Sequence, residues 1–171
     1  MGKWGDLNVL ENPNVYPRAF FVSSVKPVSS FSEARNLLWR TIDPFDARHV
    51  ALVDAPASEL PARVSEGTVR SLTYTPNQAH LGVSCPDTCY LVLSDLYYPG
   101  WKAAIDGQSA PIHLTDAMMR GIVVPAGQHQ IELVYHPRSL RFAMLFSLLT
   151  FGLVAVMTFR SRPEPEKPLQ A

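Results

Sequence analysis

No run of lysine or arginine interrupts the first 137 residues, and 15 basic against 15 acidic residues leave a formal net charge of zero. Nucleic-acid surfaces need a cationic excess to displace phosphate counterions, so the chain has no footprint for that partner. Its 9 glycines are never grouped into a phosphate-cradling loop, and no serine or threonine sits in a nucleophile-elbow context. Residues 1–14 are polar and lack the apolar core of a signal peptide. The two cysteines come with no nearby histidine pair, which disfavours a zinc site. No cofactor, metal or catalytic constellation is expected.

A long apolar run is present. From Phe142 to Phe159, 18 residues carry no charge, and 10 of them are Phe, Leu or Val. As a helix the run measures roughly 27 Å at about 1.5 Å per residue. Each Phe, Leu or Val is worth about −0.3 to −0.6 kcal/mol near the centre of an inserting helix, which outweighs Ser147, Thr150, Gly152 and Thr158. A buried core helix would carry one apolar stripe, whereas these residues face all sides. Arg138, Arg141, Arg160 and Arg162 fence the run as membrane-interface charges. The expected layout is an N-terminal lead-in (1–14), a β-domain (15–137), a transmembrane helix with its flanks (138–160) and a tail (161–171). Arg160, Arg162 and Lys167 against Arg138 and Arg141 give a slight bias to a cytoplasmic tail. Taken as complete, the chain would instead be a tail-anchored protein with a cytoplasmic interaction domain.

The body reads as short strands, with 15 prolines punctuating runs rich in Val, Tyr and Thr. Tyr16–Val25 reads as a first strand, and Ser30 with Glu33 as a capping box opening a helix to about Arg40. Further strands are expected over His49–Val53, Val69–Thr75, Ala79–Ser84 and Tyr90–Leu96. Trp101–Ile105 pairs with Pro111–Leu114 across Asp106-Gly107, and Met119–Val124 with Gln128–Tyr135 across Pro125-Ala126-Gly127. About seven or eight antiparallel strands with one N-terminal helix make a mainly β protein, a β-sandwich followed by a single C-terminal transmembrane helix. The last strand runs almost directly into that helix, so the sandwich would lie against the bilayer surface.

Two groups of residues suggest chemistry. Tyr97, Tyr98 and Trp101 are flat aromatic faces beside Asp95 and Lys102, a combination that stacks on sugar rings while hydrogen-bonding hydroxyls. The competing reading is structural, with Pro99-Gly100 turning the chain and the aromatics covering the core. Cys85 and Cys89 bracket a three-residue loop, either as a disulfide or as two reduced thiols flanking a turn. A bridge would imply an oxidising compartment. Asp95, Asp106, Asp116 and Glu132 show no spacing that pairs two of them for glycoside hydrolysis. His49, His80, His113, His129 and His136 fall on different strands, which argues against a metal site. Gly152 has no small residue four positions away, so a Gly-based helix dimer is unsupported.

A set of these motifs resembles a known family. Glu11-Asn12-Pro13, Tyr16-Pro17-Arg18-Ala19-Phe20, Leu93-Ser94-Asp95, Tyr97 to Ala103, Asp106-Gly107, Arg120, Val124 to His129 and Tyr135-His136-Pro137 resemble, in this order, the C-terminal end of the YfhO-like bacterial membrane proteins. The resemblance covers about residues 7 to 162. It implies a place among long multi-span proteins regarded as glycosyltransferases that use lipid-linked sugars, ending in an extracytoplasmic β-domain and a last transmembrane helix. The chain lacks the first extracytoplasmic loop, where such enzymes keep their acidic catalytic residues, so no catalytic position carries over. The implied role is a non-catalytic module of the bacterial inner membrane. Its partners would be the lipid bilayer, a multi-span membrane protein, and a glycan or lipid-linked sugar.

Overall fold

The structure, a computed structural model, describes residues 2–4, 7–9, 12, 15–40 and 43–160, with side chains described at residue 12 and over 15–40, 43–137 and 142–157. It divides into two compact units, residues 1–135 and 136–171. Of the expected lead-in only a small antiparallel hairpin, β1 (Gly2–Trp4) with β2 (Leu7–Val9), and residue 12 fall among the described residues. The tail 161–171 with Arg162 lies outside them, as do the side chains of Arg138, Arg141 and Arg160.

The body of the first unit is mainly β, with two sheets. In chain order its elements are β3 (Ala19–Val22), β4 (Ser24–Val28), α1 (Phe31–Leu38), β5 (Val50–Asp54), a 3-10 turn (Ala57–Glu59), β6 (Thr68–Thr75), β7 (Gln78–Cys85) and β8 (Cys89–Leu93). They continue with β9 (Trp101–Ile105), β10 (Gln108–Ala110), β11 (His113–Thr115), β12 (Met119–Val124) and β13 (Gly127–Tyr135). One sheet has the order β10-β9-β13-β7-β6 and the other β3-β8-β12-β11-β5-β4. All pairs in both are antiparallel except β4 with β5, which α1 connects as a parallel crossover.

Alternation explains how the sheets meet. Leu81, Val83, Ile131 and Leu133 from the first sheet pack on Leu91, Leu93, Ile122 and Val124 from the second, all at most 1% exposed. The opposite parity of the second sheet is also buried. Val22, Ala51, Val53, Tyr90 and Val92 form another cluster, joined by Leu60 and Val64 from the loop after β5. This follows from the topology: β3 and β4 are the two edges of the six-stranded sheet, yet only Ser23 separates them. The sheet therefore curls until its edges approach, enclosing its own second core. Ser23 and Ser24 both donate their N–H to the His49 carbonyl at the bend. Strand β8 is covered on both faces, which accounts for its uninterrupted apolar run. Inside the curl Tyr90 donates or accepts at Thr115 Oγ1, 2.8 Å away. A Cβ at Gly121 would overlap both hydroxyls, so only glycine lets strand β12 pass Tyr90.

Several expectations need correction, for one physical reason. Local patterning marks strands but not the sheet each one joins. Tyr16–Val25 is two strands, β3 and β4, rather than one. Asp106 and Gly107 do take the left-handed conformation of a type I′ turn, at φ 50° and 80°. The return strand, however, is β10, and Pro111–Leu114 instead leads into β11 in the other sheet. Strands β12 and β13 do not pair as a hairpin but cross between sheets, as do β7 and β8 around the cysteine loop. Ser30 caps α1 by accepting from the Glu33 N–H at 3.2 Å, while the Glu33 carboxylate reaches back to the N–H and hydroxyl of Ser29 rather than to Ser30.

The second unit contains α2 (Arg138–Arg160). Among the described residues no helix is long and apolar enough to cross a membrane, so the expected transmembrane helix is not found there. Phe142, Phe146, Leu149, Phe151 and Leu153 are all exposed. Thr150 donates its hydroxyl to the Phe146 carbonyl at 2.9 Å, satisfying it within the helix.

Asp116 is a cost built into the first unit. It and Ala117 form a left-handed pair (φ 48° and 66°) that turns β11 into β12. Its Oδ1 accepts from the Leu52 N–H at 2.8 Å, but buried Oδ2 finds no partner among the described residues. Desolvation raises its pKa from 3.8 to about 6. With the folded value raised, stability falls as pH climbs from 3.8 through about 6, and the full penalty stands above that. Asp116→Asn keeps an acceptor for Leu52 and a residue that tolerates the left-handed turn. It is expected to stabilise the fold by roughly 1–3 kcal/mol above the window and to flatten the pH dependence inside it, measured by denaturant unfolding on both sides.

Candidate binding site at the aromatic rim

At one end of the paired sheets the chain from Asp95 to Trp101 leaves β8 and enters β9. Gly100, at φ 115°, makes the turn, and Tyr97 is anchored by its N–H donating to the Met118 carbonyl at 2.7 Å. Trp101 then pairs in register with Tyr135, the last residue of β13. Their rings sit 5.4 Å apart, and Tyr98 approaches Tyr135 from the other side at 6.3 Å, both tilted.

Beneath these rings lies Arg120, 1% exposed. It shares the inward parity of Ile122 and Val124 on β12. Its guanidinium stacks 4.0 Å from the Trp101 ring centroid. Nη2 lies 3.1 Å from Asp95 Oδ2, an ion pair by distance though outside hydrogen-bond geometry, and donates to the Tyr74 hydroxyl at 3.4 Å. Arg18 closes the far side, its guanidinium 4.8 Å from the Tyr74 ring and Nη1 3.4 Å from Asp95 Oδ1. Nε and Nη1 of Arg120 have no hydrogen-bond partner among the described residues. Burial raises the Tyr74 pKa.

Trp101 also borders a cleft of about 300 Å³ lined by Tyr97, Tyr98, Lys102, Ser109 and Ile112, among others. Tyr98 is 59% exposed, and Trp101 is half-buried. Of the predicted group, Tyr97, Tyr98, Trp101 and Lys102 line the cleft, whereas Asp95 is not among its lining residues. Asp95 faces the two arginines, Trp101 stacks on Arg120 and Tyr135, and Tyr97, Tyr98 and Lys102 are exposed at the cleft. A larger pocket of about 550 Å³ adjoins the start of α1, but of its two carboxylates, Glu33 and Asp54, Glu33 is consumed by Ser29.

The remaining candidates are dispersed. Cys85 and Cys89 are buried free thiols. Glu132 points out of β13. His113 is buried and its pKa lowered by desolvation, and His49 Nδ1 contacts Asp46 at 2.7 Å. Among the described residues no three His, Cys, Asp or Glu side chains form a group that could hold a metal ion. His129 and Asp106 do meet: Nδ1 lies 2.6 Å from Asp106 Oδ2, and Nε2 lies 3.2 Å from the Ala126 carbonyl. Both ring nitrogens face acceptors, an arrangement only the doubly protonated imidazolium satisfies. The hydrogen bond to Asp106 raises the His129 pKa and lowers that of Asp106. Sequence reading assigned no role to Arg120, Tyr74, Arg18 or Tyr135. The signal for Arg120 was a lone charge at an inward position of an apolar strand.

A family model described as bacterial membrane protein YfhO matches residues 43–147, more than half of the chain. The chain belongs to the YfhO family. No curated protein and no solved structure compared with it matches. The YfhO match contains Asp95, the aromatic rim, Arg120 and Tyr135, and leaves Arg18 outside.

Removing the buried guanidinium leaves Asp95 facing an apolar void. Arg120→Leu is expected to lower unfolding free energy by about 3–5 kcal/mol, and denaturant unfolding of the full chain checks it; a loss below about 1 kcal/mol would show that the cluster is not a structural clamp. The His129 clasp makes a pH prediction. With the folded His129 pKa raised above 6.5, its stabilisation is complete below 6.5 and disappears as pH rises through the raised value. The same contact fails on the acid side as pH falls through the depressed Asp106 value, below 3.8. His129→Gln should abolish the alkaline fall in melting temperature while leaving that at high pH nearly unchanged.

Proposed function

We propose that this YfhO-family chain is a non-catalytic, membrane-tethered β-domain that assists recognition of a glycan or a lipid-linked sugar. The observation carrying the reading is the cleft that exposed Tyr97 and Tyr98 line together with Trp101, Lys102 and Ser109, where Trp101 is held by stacking on the buried Arg120 guanidinium. Sugar rings offer C–H faces to aromatics and hydroxyls to polar groups, and a site for them needs both held rigidly.

Family membership makes the protein membrane-associated. In the proposed arrangement the full apolar run Phe142–Phe159 forms the tether, tilted little and with the local bilayer thinned to meet its short length. Arg138 and Arg141 lie at one interface and Arg160 and Arg162 at the other. The β-domain lies on the extracytoplasmic side of the bacterial inner membrane, beside or within a multi-span membrane protein. Asp95, Asp106 and Asp116 are each committed to structural contacts, consistent with a module that binds rather than transforms.

Tyr98→Ala tests the cleft, because an exposed ring contributes little to folding. The full chain in detergent is titrated with neutral oligosaccharides and with a polyprenyl-phosphate hexose, following chemical shifts or intrinsic fluorescence. Binding by the parent, weakened about tenfold in the variant, or about 1.4 kcal/mol, at unchanged melting temperature is the expected result. Equal binding by both proteins, or none by the parent, removes the reading.

A further inference from the structure

We propose that Cys85 and Cys89 are joined by a disulfide in the mature protein, a covalent staple between the two sheets at the end opposite the aromatic rim. Cys85 closes β7 in the five-stranded sheet, and Cys89 opens β8 in the six-stranded one. Cys85 shares the inward parity of Leu81 and Val83, and Cys89 that of Leu91 and Leu93, so both side chains enter the inter-sheet core from opposite walls. They are 4% and 0% exposed. Cys89 Sγ turns back toward the connecting loop, 3.3 Å from the Asp87 carbonyl.

The neighbouring crossover reinforces this convergence. Gly127 pairs with Cys85 and Val124 with Cys89, so the β12–β13 connection runs beside the β7–β8 connection and two crossings join the sheets at this end. The chain holds 2 cysteines, so an intramolecular bridge has one pairing. In this structure both are thiols.

Timing follows from burial. Desolvation pushes the Cys85 thiol up to about 12, leaving almost no thiolate in the folded domain, so exchange precedes closure of the core. The thiolate of one cysteine attacks the disulfide of an oxidised dithiol carrier protein, forming a mixed disulfide and releasing one carrier thiolate. The second cysteine attacks the mixed-disulfide sulfur on this chain and releases the other. The chain loses two electrons and its two thiol protons, and the carrier ends as a dithiol. Such carriers operate outside the cytoplasm, so the inference rests on the extracytoplasmic placement proposed above.

The test uses the full chain in bacterial membranes, with thiols trapped by acid before lysis. After denaturation it is treated with a polyethylene-glycol maleimide before and after reduction. No gel shift before reduction and a double shift after it are expected. The peptide from Ser71 to Lys102, which holds both cysteines, should be two hydrogens lighter until reduced. Carbonate extraction and external protease access, run on the same cells, report the placement separately. A carbonate-resistant domain reachable from outside, with both thiols labelling unreduced, overturns the disulfide and leaves the placement intact. A protease-protected domain with two free thiols overturns both. Cys85→Ser adds a check that does not depend on trapping: it should expose one reactive thiol without reduction, and the protein should melt at the temperature of the reduced parent.

Discussion

A single buried cation organises the aromatic end of this domain. Moving an arginine out of water costs several kcal/mol even after relaxation, so the position of Arg120 is tolerable only because groups from four other places converge on it. Asp95 arrives from the end of β8, Tyr74 from β6, Trp101 from the start of β9 and, one step removed, Arg18 from before β3. These segments belong to both sheets. The cluster thus does what apolar packing alone does poorly: it fixes the lateral register of one sheet on the other, because an ion pair and a ring face tolerate less sliding than a layer of leucines and valines.

That fixity separates the aromatic residues by task. Trp101 has a guanidinium over its ring and lies tilted against Tyr135, so its surface is largely spent. Tyr98 touches Tyr135 but keeps more than half of its area exposed. A ring held from one side and open on the other is the arrangement that costs least entropy when a ligand stacks on it. In the proposed reading the structural and binding roles of the aromatic motif are therefore successive layers of one rim.

The strands were legible in the sequence because alternation is a local property. Ile131 and Leu133 against Gln130 and Glu132 reveal a half-buried strand without knowledge of its neighbours, and Asp106-Gly107 reveals its turn by conformational need alone. Partnership was not legible. The three residues between Cys85 and Cys89, and the two between Val124 and Gly127, suit a hairpin as well as a crossing between sheets, and tertiary packing decided for the crossing. The break at Ser23 was equally hidden, since Phe20 to Val25 is apolar enough for one strand. Only the closure of the six-stranded sheet requires the bend. In the candidate site, the aromatics were visible as a motif, whereas Arg120 became meaningful only with Trp101 above it.

The apolar C-terminal run tests how composition and geometry combine. Apolar side chains on every face of a helix exclude a partner along one stripe and call for an apolar surround. Among the described residues no helix is long and apolar enough to cross a membrane, so the tether proposed above draws on the whole uncharged run Phe142–Phe159 of the sequence. In that proposed arrangement flanking arginines would lengthen the run, because arginine methylenes add apolar length while the guanidinium reaches the head-groups. With such ends, the proposed span would match a thin bilayer without an additional turn of leucine. The charges that bracket the run would then be part of the span, and the cost of mismatch would be carried by side chains that bend rather than by lipids that must.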